Sequence, residues 1–286
     1  MHPAEQLRQS LKSERLLIAP GAMDCVSAAV VEQNGFSAIY MTGMGTAACR
    51  LGLPDYGLAT MTEMVANASA MAKAVHIPII ADADTGYGNE LNMTRTVIEY
   101  EHIGVAGIHV EDQVSPKKCG HLDRKMVVPR DEFVSKIAAA VAARRNPDFL
   151  IIARTDSTAV LGFNEAIDRA NAALDAGADM ALIEAPESTD QLLKIPELVH
   201  GPCVLNILFG GKSPLVSFDL IEQAGYRLAF LSDVLLGSAF AAYDHALRQV
   251  RDAAHCAGVL QLPNIAPACE IFRRLGAEHW DALRAS

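Results

Sequence analysis

Eight short apolar segments recur along the chain, and a longer stretch with helical character follows each of them. The segments are rich in Ile, Val and Leu and lack polar alternation, which is typical of parallel strands buried on both faces. Glycine follows several helical stretches, as in Ile103-Gly104-Val105 and Ala176-Gly177-Ala178, which suits a left-handed helix cap before a short loop. We predict strands at Leu16–Ala19, Ala38–Thr42, Ile77–Ala81, Gly107–Glu111, Phe149–Arg154, Met180–Glu184, Cys203–Ile207 and Leu228–Ser232.

Eight strand–helix units in one chain restrict the fold to very few architectures. We predict that residues 1–286 form a single α/β domain, a (β/α)8 TIM barrel, with an open doubly wound sheet as the alternative. Hydrophobic residues make up 51% of the chain, which is enough for a large core. From about Pro263 we expect a helical extension whose apolar side chains, such as Phe272 and Trp280, pack on another subunit. The clearest helices are predicted at Met61–Val75, Leu91–Ile103, Arg130–Arg145, Asn164–Ala176 and Phe240–Ala254.

The charge balance and the cysteines indicate the class and the compartment of the protein. The net charge of −10 at pH 7 argues against nucleic acids and anionic membranes as partners. No apolar run is long enough to span a bilayer, and Met1–Gln6 lacks the basic start of a signal peptide. The six cysteines are scattered without metal-ligand spacing, so we expect reduced thiols in a cytoplasmic protein.

Acidic side chains follow two neighbouring predicted strands, and in a barrel of this type the active site lies at the C-terminal strand ends. Asp82 and Asp84 follow the third strand, where side-chain alternation predicts the same orientation for both, and Glu111 ends the fourth strand. Carboxylates this close repel each other unless a proton or a cation intervenes. Oxygen ligands of this kind suit Mg²⁺, with Mn²⁺ as an alternative. The competing interpretation is a helix N-cap, in which Asp84 or Asn89 begins the next helix.

The loop after the fourth strand carries a cysteine in a cationic setting. Lys117, Lys118 and His121 flank Cys119, so we predict a lowered pKa for its thiol and an acid–base role near neutral pH. The loop is polar and contains Gly120, so we expect it to move as a lid. A surface loop with an incidental cysteine explains the same spacing equally well.

Other strand ends supply groups that suit the binding of carboxylates. Arg154 ends the fifth strand and is a natural bidentate clamp. A buried salt bridge from Arg154 to one of the acids is the alternative, and both interpretations can hold at once. Thr42-Gly43-Met44 offers N–H groups and a hydroxyl to an anion after the second strand. The sixth, seventh and eighth strands end in Glu184, Asn206 and Ser232.

Taken together, these segments resemble the isocitrate lyase/phosphoenolpyruvate mutase superfamily over nearly the whole chain. The Lys-Lys-Cys-Gly-His loop at Lys117–His121 is similar to the lyase branch, which includes isocitrate lyase, 2-methylisocitrate lyase, 2,3-dimethylmalate lyase and oxaloacetate hydrolase. The chain is short, unlike isocitrate lyase proper, and Gly210–Pro214 resembles the dimethylmalate lyase and petal death protein group more closely. The other matching segments are Pro20–Asp24, Tyr40–Gly43, Leu51–Asp55, Asp82–Asn89, Val110–Gln113 and Ala153–Asp156.

The resemblance implies a Mg²⁺-dependent lyase that cleaves a 2-hydroxy di- or tricarboxylate, of 2-alkylmalate or 2-methylisocitrate type, into a 2-oxo acid and a carboxylate. It implies that Asp82 and Asp84 hold Mg²⁺ together with Glu111, directly or through water. It also implies a homotetramer in which neighbouring subunits exchange C-terminal helices. The catalytic residues that it implies are Cys119 as proton donor, Arg154, Tyr40, Glu111 and Asp55. The substrate-binding residues that it implies are Thr42, Gly43, Met44, Lys117, Gly120, His121, Arg154, Glu184, Asn206 and Ser232.

One position departs from the pattern of the lyase branch, whose members usually carry Glu where this chain has Phe209. From the loss of that carboxylate we expect either a substrate with an apolar substituent or a weakened activity. Hydrolysis of oxaloacetate to oxalate and acetate is the alternative reaction. A non-catalytic ligand-binding barrel is the alternative of a different class, and the Cys119 loop argues against a phosphonate enzyme.

Overall fold

Eight parallel strands close into a barrel in chain order in a computed structural model, which describes residues 1–255 and 265–285. The last strand pairs with the first, and Leu17 lies opposite Leu228 at this closure. The predicted barrel is therefore confirmed, and each predicted strand overlaps an observed one. The strands are β1 (Leu17–Ala22), β2 (Ile39–Met41), β3 (Ile79–Asp82), β4 (Gly107–Glu111), β5 (Leu150–Thr155), β6 (Met180–Ile183), β7 (Cys203–Ile207) and β8 (Tyr226–Leu231).

Helices connect the strands, and local sequence explains where several of them begin. Thr60 and Glu63 form a capping box at the start of α4, and Asn89 and Asn92 form one at the start of α5. These side chains satisfy N–H groups that the first helical turn leaves without partners. The helices are α1 (Pro3–Ser13), α2 (Cys25–Gln33), α3 (Gly43–Thr46), α4 (Met61–Ala74), α5 (Glu90–His102), α6 (Arg130–Ala143), α7 (Thr158–Leu161), α8 (Phe163–Asp175), α9 (Thr189–Leu198), α10 (Phe218–Ala224), α11 (Val234–His255), α12 (Ala268–Arg274) and α13 (Ala277–Ala285), with a π-helical turn at Ala47–Leu51.

Apolar side chains fill the interior of the barrel below the strand ends. Leu17, Ile80, Leu150 and Leu182 are buried in one cluster there, and Leu7 of α1 joins them and closes the N-terminal end. Each fully buried Leu or Ile side chain contributes about 1.5–3 kcal/mol. This lower half supplies stability, which leaves the C-terminal strand ends free to carry polar groups.

The register of the strands brings distant polar residues together at the C-terminal end of the barrel. Asp82 of β3 lies opposite His109 of β4, and Glu111 of β4 lies opposite Arg154 of β5. Since neighbouring strands are about 4.8 Å apart, residues separated by tens of positions in sequence come within reach of one another.

The chain divides into two compact units, residues 1–236 and residues 237–286. The first unit contains the complete barrel. The second contains most of α11 together with α12 and α13, and the predicted start of the extension at about Pro263 lies outside the described residues, as does Cys256. Over the described ranges, none of the helices combines the length and the apolar character needed to cross a membrane. The large apolar side chains of the second unit that are more than 60% exposed are Phe240, Tyr243, Leu247, Phe272 and Trp280.

Candidate active site

A cavity with about 310 Å³ of empty space, part of it open to solvent, lies at the C-terminal ends of the strands. Strand ends and the loops after them supply its walls, so residues from almost the whole length of the barrel meet there. Most of the predicted site residues line it, whereas the predicted residues Gly43, Asp84, Glu111 and Lys117 lie behind the lining. The lining residues are Tyr40, Thr42, Met44, Asp55, Asp82, Cys119, Gly120, His121, Arg154, Glu184, Asn206, Leu208 and Ser232.

Asp82 lies at the centre of what we call the acidic flank, defined as Asp55, Asp82, Asp84 and Glu111 with the ammonium of Lys117. Its Oδ1 accepts a hydrogen bond from the backbone N–H of Asp84 at 2.9 Å, and its Oδ2 accepts one from the N–H of Gly43 at 3.2 Å. Burial opposes ionisation of the Asp82 carboxyl, but the nearby cationic groups outweigh it and lower the pKa to about 2. Asp82 is therefore an anion at neutral pH.

We predicted that the side chains of Asp82 and Asp84 point in the same direction, but the backbone conformation of Asp84 removes the reason for this prediction. β3 ends at Asp82, and the backbone of Asp84 has φ 45°, in the left-handed region, so strand alternation no longer applies. Its Oδ1 lies 2.9 Å from Nζ of Lys117, which also donates to Asp55 Oδ1 at 2.6 Å. Burial, with repulsion from Asp82 and Asp55, raises the pKa of Asp84 to about 6 in spite of Lys117. Asp84 also does not begin α5, because Asn89 is the N-cap of that helix.

Lys117, which was predicted to bind substrate, lies behind the residues that line the cavity. Its side chain is 3% exposed, and its ammonium lies between the carboxylates of Asp55 and Asp84. Those acids raise the pKa of Lys117 well above its usual value even though burial lowers it. The lysine therefore neutralises part of the acidic flank instead of facing the cavity.

Glu111 is fully buried, and neither of its carboxyl oxygens has a hydrogen-bond partner. Nε of Arg154 lies 3.3 Å from Oε2, which is an ion-pair distance without hydrogen-bond geometry. Burial raises the pKa of Glu111 well above its usual value. A buried carboxyl with two orphaned oxygens indicates a position that a cation or its water would satisfy.

His109 and Tyr40 lie directly beneath Asp82, and His109 was missed by sequence reasoning. The Tyr40 hydroxyl is 2.9 Å from Nε2 of His109 and 3.3 Å from Oδ2 of Asp82. Burial, reinforced by Asp82, raises the pKa of Tyr40 well above its usual value, so the phenol stays protonated. The sequence does contain a signal for His109, because this polar residue lies between the apolar residues Ile108 and Val110 in strand β4.

The adjoining wall is what we call the paired flank, defined as Arg154, Asp156, Glu184 and Lys125. Arg154 donates from Nε to Oδ2 of Asp156 at 2.9 Å and from a terminal nitrogen to Oδ1 at 3.3 Å. Burial opposes the ionisation of Asp156 and Glu184, but Arg154 lowers the pKa of both carboxyls. The two predicted interpretations of Arg154 therefore hold together, since it forms a buried salt bridge and also lines the cavity.

Asn206, Ser232 and His121 extend the paired flank towards the mouth of the cavity. Asn206 donates to Oε1 of Glu184 at 2.9 Å and accepts from the hydroxyl of Ser232. Nε2 of His121 is 3.0 Å from the same Glu184 oxygen without in-line hydrogen-bond geometry, and its Nδ1 accepts the backbone N–H of Lys212 at 2.9 Å. These contacts fix polar groups that face the cavity.

Cys119 faces the cavity, but its predicted ionisation is wrong. Burial raises the pKa of its thiol to about 11, and Asp55 and Glu184 add to this rise. The expectation of a lowered pKa assumed that both flanking lysines act on the sulfur. Lys117 is paired with Asp55 and Asp84, so its charge is largely cancelled where the thiol lies. Cys119 is consequently a protonated thiol at neutral pH, and the five described cysteines, at positions 25, 49, 119, 203 and 269, are free.

The predicted anion cradle at Thr42-Gly43-Met44 is only partly available. The N–H of Gly43 already donates to Asp82, and the Thr42 hydroxyl accepts from the N–H of Gly45. Thr42 and Met44 still line the cavity. Phe209 is 53% exposed, and the neighbouring Leu208 is the lining residue from that segment.

The acidic flank was tested for its fit to a divalent cation. In residues 1–255 and 265–285, no three His, Cys, Asp or Glu side chains are grouped closely enough to hold a metal ion by themselves. Mg²⁺ needs less, because it keeps several waters and takes one or two carboxylates. An ionised Asp82, the raised pKa of Asp84 and the orphaned oxygens of Glu111 fit a hydrated cation of this kind.

The family model described as phosphoenolpyruvate phosphomutase matches residues 7–251. A 2,3-dimethylmalate lyase from Eubacterium barkeri is 48% identical over 228 residues, which cover 80% of this chain and 79% of that protein. A probable 2-methylisocitrate lyase from Corynebacterium glutamicum is 41% identical over 249 residues, which cover 87% of this chain and 81% of that protein.

Solved structures agree with these similarities along the full chain. Oxaloacetate acetylhydrolase in complex with 3,3-difluorooxalacetate superposes with a TM-score of 0.93 at 38% identity, covering 99% of this chain and 97% of that chain. Phosphonopyruvate hydrolase in complex with oxalate and Mg²⁺ superposes with a TM-score of 0.89 at 31% identity, covering 100% of this chain and 99% of that chain.

Proposed function

Because the chain belongs to the phosphoenolpyruvate mutase/isocitrate lyase superfamily, we propose that it is a carbon–carbon lyase acting on a 2-hydroxy di- or tricarboxylate. The substrate is of 2-alkylmalate or 2-methylisocitrate type, and the products are a 2-oxo acid and a carboxylate. Relatives that support this reaction are 2,3-dimethylmalate lyase and 2-methylisocitrate lyase. A 2,3-dimethylmalate lyase at 48% identity and 2-methylisocitrate lyases at 37–41% among the sequence relatives favour the lyase.

The observation that carries the proposal is a protonated thiol in the same cavity as an arginine and an ionised aspartate. Cleavage beside a carboxylate leaves a strongly basic carbon, which needs a proton from an acid that is not itself ionised at neutral pH. The half-buried thiol of Cys119, with its pKa raised to about 11, meets this need. Arg154 and Asp82 face the same cavity and supply the charges that orient a polyanionic substrate.

The substrate is held by groups on both walls of the cavity. Arg154 donates to oxygens of the part that becomes the 2-oxo acid, and Asn206 and Ser232 contact a carboxylate. Thr42, Met44 and His121 complete the binding surface, and Leu208 faces an apolar substituent. Fixing the scissile bond between the walls in this way converts binding energy into orientation.

Residues of this chain can perform both proton transfers that the cleavage requires. Asp55, which lines the cavity and is paired with Lys117, accepts the proton of the substrate hydroxyl. The oxygen then forms the carbonyl as the adjacent carbon–carbon bond breaks, and the bonding electrons remain on the departing carbon. Cys119 transfers its S–H proton to that carbon, and the protonated Tyr40 donates a hydrogen bond to the nascent carbonyl oxygen.

Mg²⁺ is proposed as the cofactor, with Mn²⁺ as a substitute. Asp82 and Asp84 would hold it, with Glu111 contributing through water, which would satisfy the orphaned oxygens of Glu111. When bound, the ion supplies a Lewis acid that stabilises negative charge on oxygen. Support comes from the excess of acid on this flank and from the Mg²⁺ in the phosphonopyruvate hydrolase complex.

We further propose a cytoplasmic homotetramer that has no nucleic-acid or membrane partner. The free cysteines fit a reducing compartment. The second compact unit exposes large apolar side chains, among them Phe240, Leu247 and Trp280. Exposed apolar surface of this kind marks a subunit contact, and exchange of C-terminal helices between neighbours would cover it.

The test is a screen of C4–C7 2-hydroxy acids with Mg²⁺ present, read as release of a 2-oxo acid. We expect turnover of 2-alkylmalates or 2-methylisocitrate, loss of activity with EDTA, and recovery when Mg²⁺ is added back. Cys119→Ser should abolish turnover, whereas Cys49→Ser, which alters an exposed thiol, should not. Release of oxalate and acetate from oxaloacetate would identify the hydrolase instead. Ligand binding without turnover of any substrate would identify a non-catalytic barrel, and activity that survives EDTA would exclude the proposed cofactor.

A further inference from the structure

Lys125 is a buried lysine in the loop that carries Cys119, and the activity proposed above leaves it without a role. Its side chain is 1% exposed. The ammonium donates a hydrogen bond to the carbonyl oxygen of Gly120 and another to Oδ1 of Asp156 at 3.0 Å. Gly120 is the residue between Cys119 and His121. A single buried cation therefore joins the backbone beside the catalytic thiol to the wall of the barrel.

Asp156 links Lys125 to Arg154, the arginine that we propose binds substrate. It is fully buried, and its two oxygens accept from two nitrogens of Arg154 at 2.9 and 3.3 Å. The order of contacts is Gly120 carbonyl, Lys125, Asp156 and Arg154. The position of the thiol and the position of the guanidinium are thus set by one continuous polar chain.

At Gly120 the loop is packed against the paired flank and leaves no space for a side chain. A methyl group there would approach Oδ1 of Asp156 to 2.8 Å and would also collide with Arg154 and Glu184. The backbone of Gly120 therefore rests directly on the paired flank. Because the contact is this close, loss of the bond that holds it displaces the adjacent Cys119.

Other contacts of this loop lie before Gly120 or at the surface. Lys117 pairs with Asp55 and Asp84, and the N–H of Cys119 donates to the carbonyl of Asp55 at 3.0 Å. Lys212 forms an ion pair with Asp123 at 2.6 Å, but the two side chains are 34% and 85% exposed. Exposed pairs gain little because water screens both charges. Lys125 and Asp156 are shielded from water on all sides, so their contact is not replaced by solvent when it breaks.

We propose that Lys125 is a positioning residue, which keeps Cys119 within reach of the scissile bond. It does so through its hydrogen bonds to the Gly120 carbonyl and to Asp156, which is in turn paired with Arg154. The catalytic part of this inference rests on the proposed lyase activity. The other part, which we call the docking role, is that Lys125 holds the loop against the barrel. It can be tested in a protein that shows no turnover. A lysine that merely neutralised Asp156 would affect stability, but it would not change the exposure of the thiol or the rate of proton transfer.

The test compares Lys125→Met and Lys125→Arg, with Lys212→Met as the matched control, because Lys212 pairs with an aspartate of the same loop at the surface. Iodoacetamide labelling, resolved by peptide mass, gives the rate at Cys119 relative to the exposed Cys49 of the same molecule. With Lys125→Met this ratio should rise about tenfold or more, since an undocked loop hydrates the thiol and favours its thiolate. Lys125→Arg keeps N–H donors and should retain most of the protection of Cys119 against labelling. Lys212→Met should leave the ratio unchanged.

Kinetics on the same variants provide the second readout. Because displacement of a reacting group by about 1 Å can cost about a hundredfold, we expect kcat of Lys125→Met to fall by about that factor while KM stays nearly constant. An unchanged labelling ratio in Lys125→Met would overturn the docking role. A raised ratio with unchanged kcat would overturn the positioning role. Circular dichroism identifies a variant that fails to fold, and Lys125→Leu, which also lacks an N–H donor in its side chain, then takes its place with the same expected directions.

If the wild-type protein shows no lyase activity, the proposed function fails, but the labelling ratio still decides the docking role. The two failures are therefore distinguishable in one set of proteins.

Discussion

The two walls of the cavity contain similar residue types and differ in how their charges are balanced. On the paired flank, Arg154 and Lys125 meet Asp156 and Glu184, and the pKa of both carboxyls is lowered. On the acidic flank, Lys117 pairs with Asp55 and Asp84, Glu111 has an ion-pair contact with Arg154 but no hydrogen bond, and the pKa values of Asp84 and Glu111 are raised. Burial opposes ionisation on both sides, so the supply of nearby cations decides which acids remain ionised.

This difference indicates a division of work between the walls. A wall whose charges are already compensated holds its groups rigidly and can orient a substrate without rearranging. A wall with more acid than cation binds either protons or an added cation, and here the acid excess is what fits Mg²⁺. If the walls differ in this way, substitutions on the two walls should have different effects on stability and activity.

Arg154→Met should destabilise the protein more than any other single change at the site. Removing one partner from a buried ion pair leaves an uncompensated charge, at a cost of about 3–5 kcal/mol. The free energy of unfolding from urea titration measures the loss. Arg154→Lys keeps a cation and should lose clearly less. A loss for Arg154→Met as small as that of an exposed residue would show that the paired flank is not balanced by Arg154.

Asp82→Asn on the acidic flank should affect activity more than stability. The folded protein favours the ionised carboxyl, whose pKa is lowered to about 2, so its loss should cost some stability. The substitution also relieves repulsion with Asp84, so urea unfolding should change less than for Arg154→Met. Activity should fall by about 10²–10³-fold, the loss seen when one group that stabilises transition-state charge is removed, and Mg²⁺ affinity should fall with it. Asp190→Asn, at an acid whose side chain is 72% exposed, is the control for loss of charge alone. Full activity in Asp82→Asn would remove the basis for the cation site.

Gly120→Ala should disturb the paired flank by crowding instead of by charge. The added methyl group would meet Asp156 at 2.8 Å and would also collide with Arg154 and Glu184. Overpacking of this kind costs about 1–3 kcal/mol, which thermal or urea unfolding measures. Gly237→Ala, at a helical glycine with nothing within 4 Å of the new methyl group, should be neutral or slightly stabilising. Equal stability of the two variants would mean that the loop does not rest on the wall.

The pH dependence of Cys119 should give the smallest effect, because it follows one thiol in the intact protein. With its pKa raised to about 11, the rate of alkylation should rise about tenfold per pH unit between pH 8 and 10. The folded protein binds this proton more tightly than the unfolded chain. Its contribution to stability is therefore complete below the ordinary cysteine pKa and is lost as the pH rises through about 11. A rate that levels off near pH 8 would contradict the burial of the thiol.

Part of the site could be predicted from sequence because its residues lie at strand ends. Asp82, Glu111, Arg154, Glu184 and Asn206 are all among the last two residues of an apolar strand or directly follow one, and a parallel barrel brings such ends to one face. The prediction for Asp84 failed beyond the last strand residue, where the left-handed backbone turns its side chain towards Lys117. His109 was missed because it lies inside a strand, where polar residues are not expected.

The prediction for Cys119 failed for a different reason. Sequence places two lysines and a histidine beside it, but it does not show that Lys117 pairs with Asp55, which is 62 positions away. The pairing of Lys125 with Asp156, 31 positions away, was equally invisible. Proximity along the chain was a poor guide to the electrostatic environment of the thiol.

The sequence by itself determined the eight strands, their order and the end of the barrel at which the polar residues gather. These follow from continuous apolar runs, each followed by a stretch with helical character, because burial on both faces requires apolar residues throughout a strand. The tertiary structure alone decided which charges compensate one another, and with them the protonation of Cys119, Asp84 and Glu111. Those states depend on distances of a few ångströms between residues far apart in the chain, and such distances exist only once the barrel has closed.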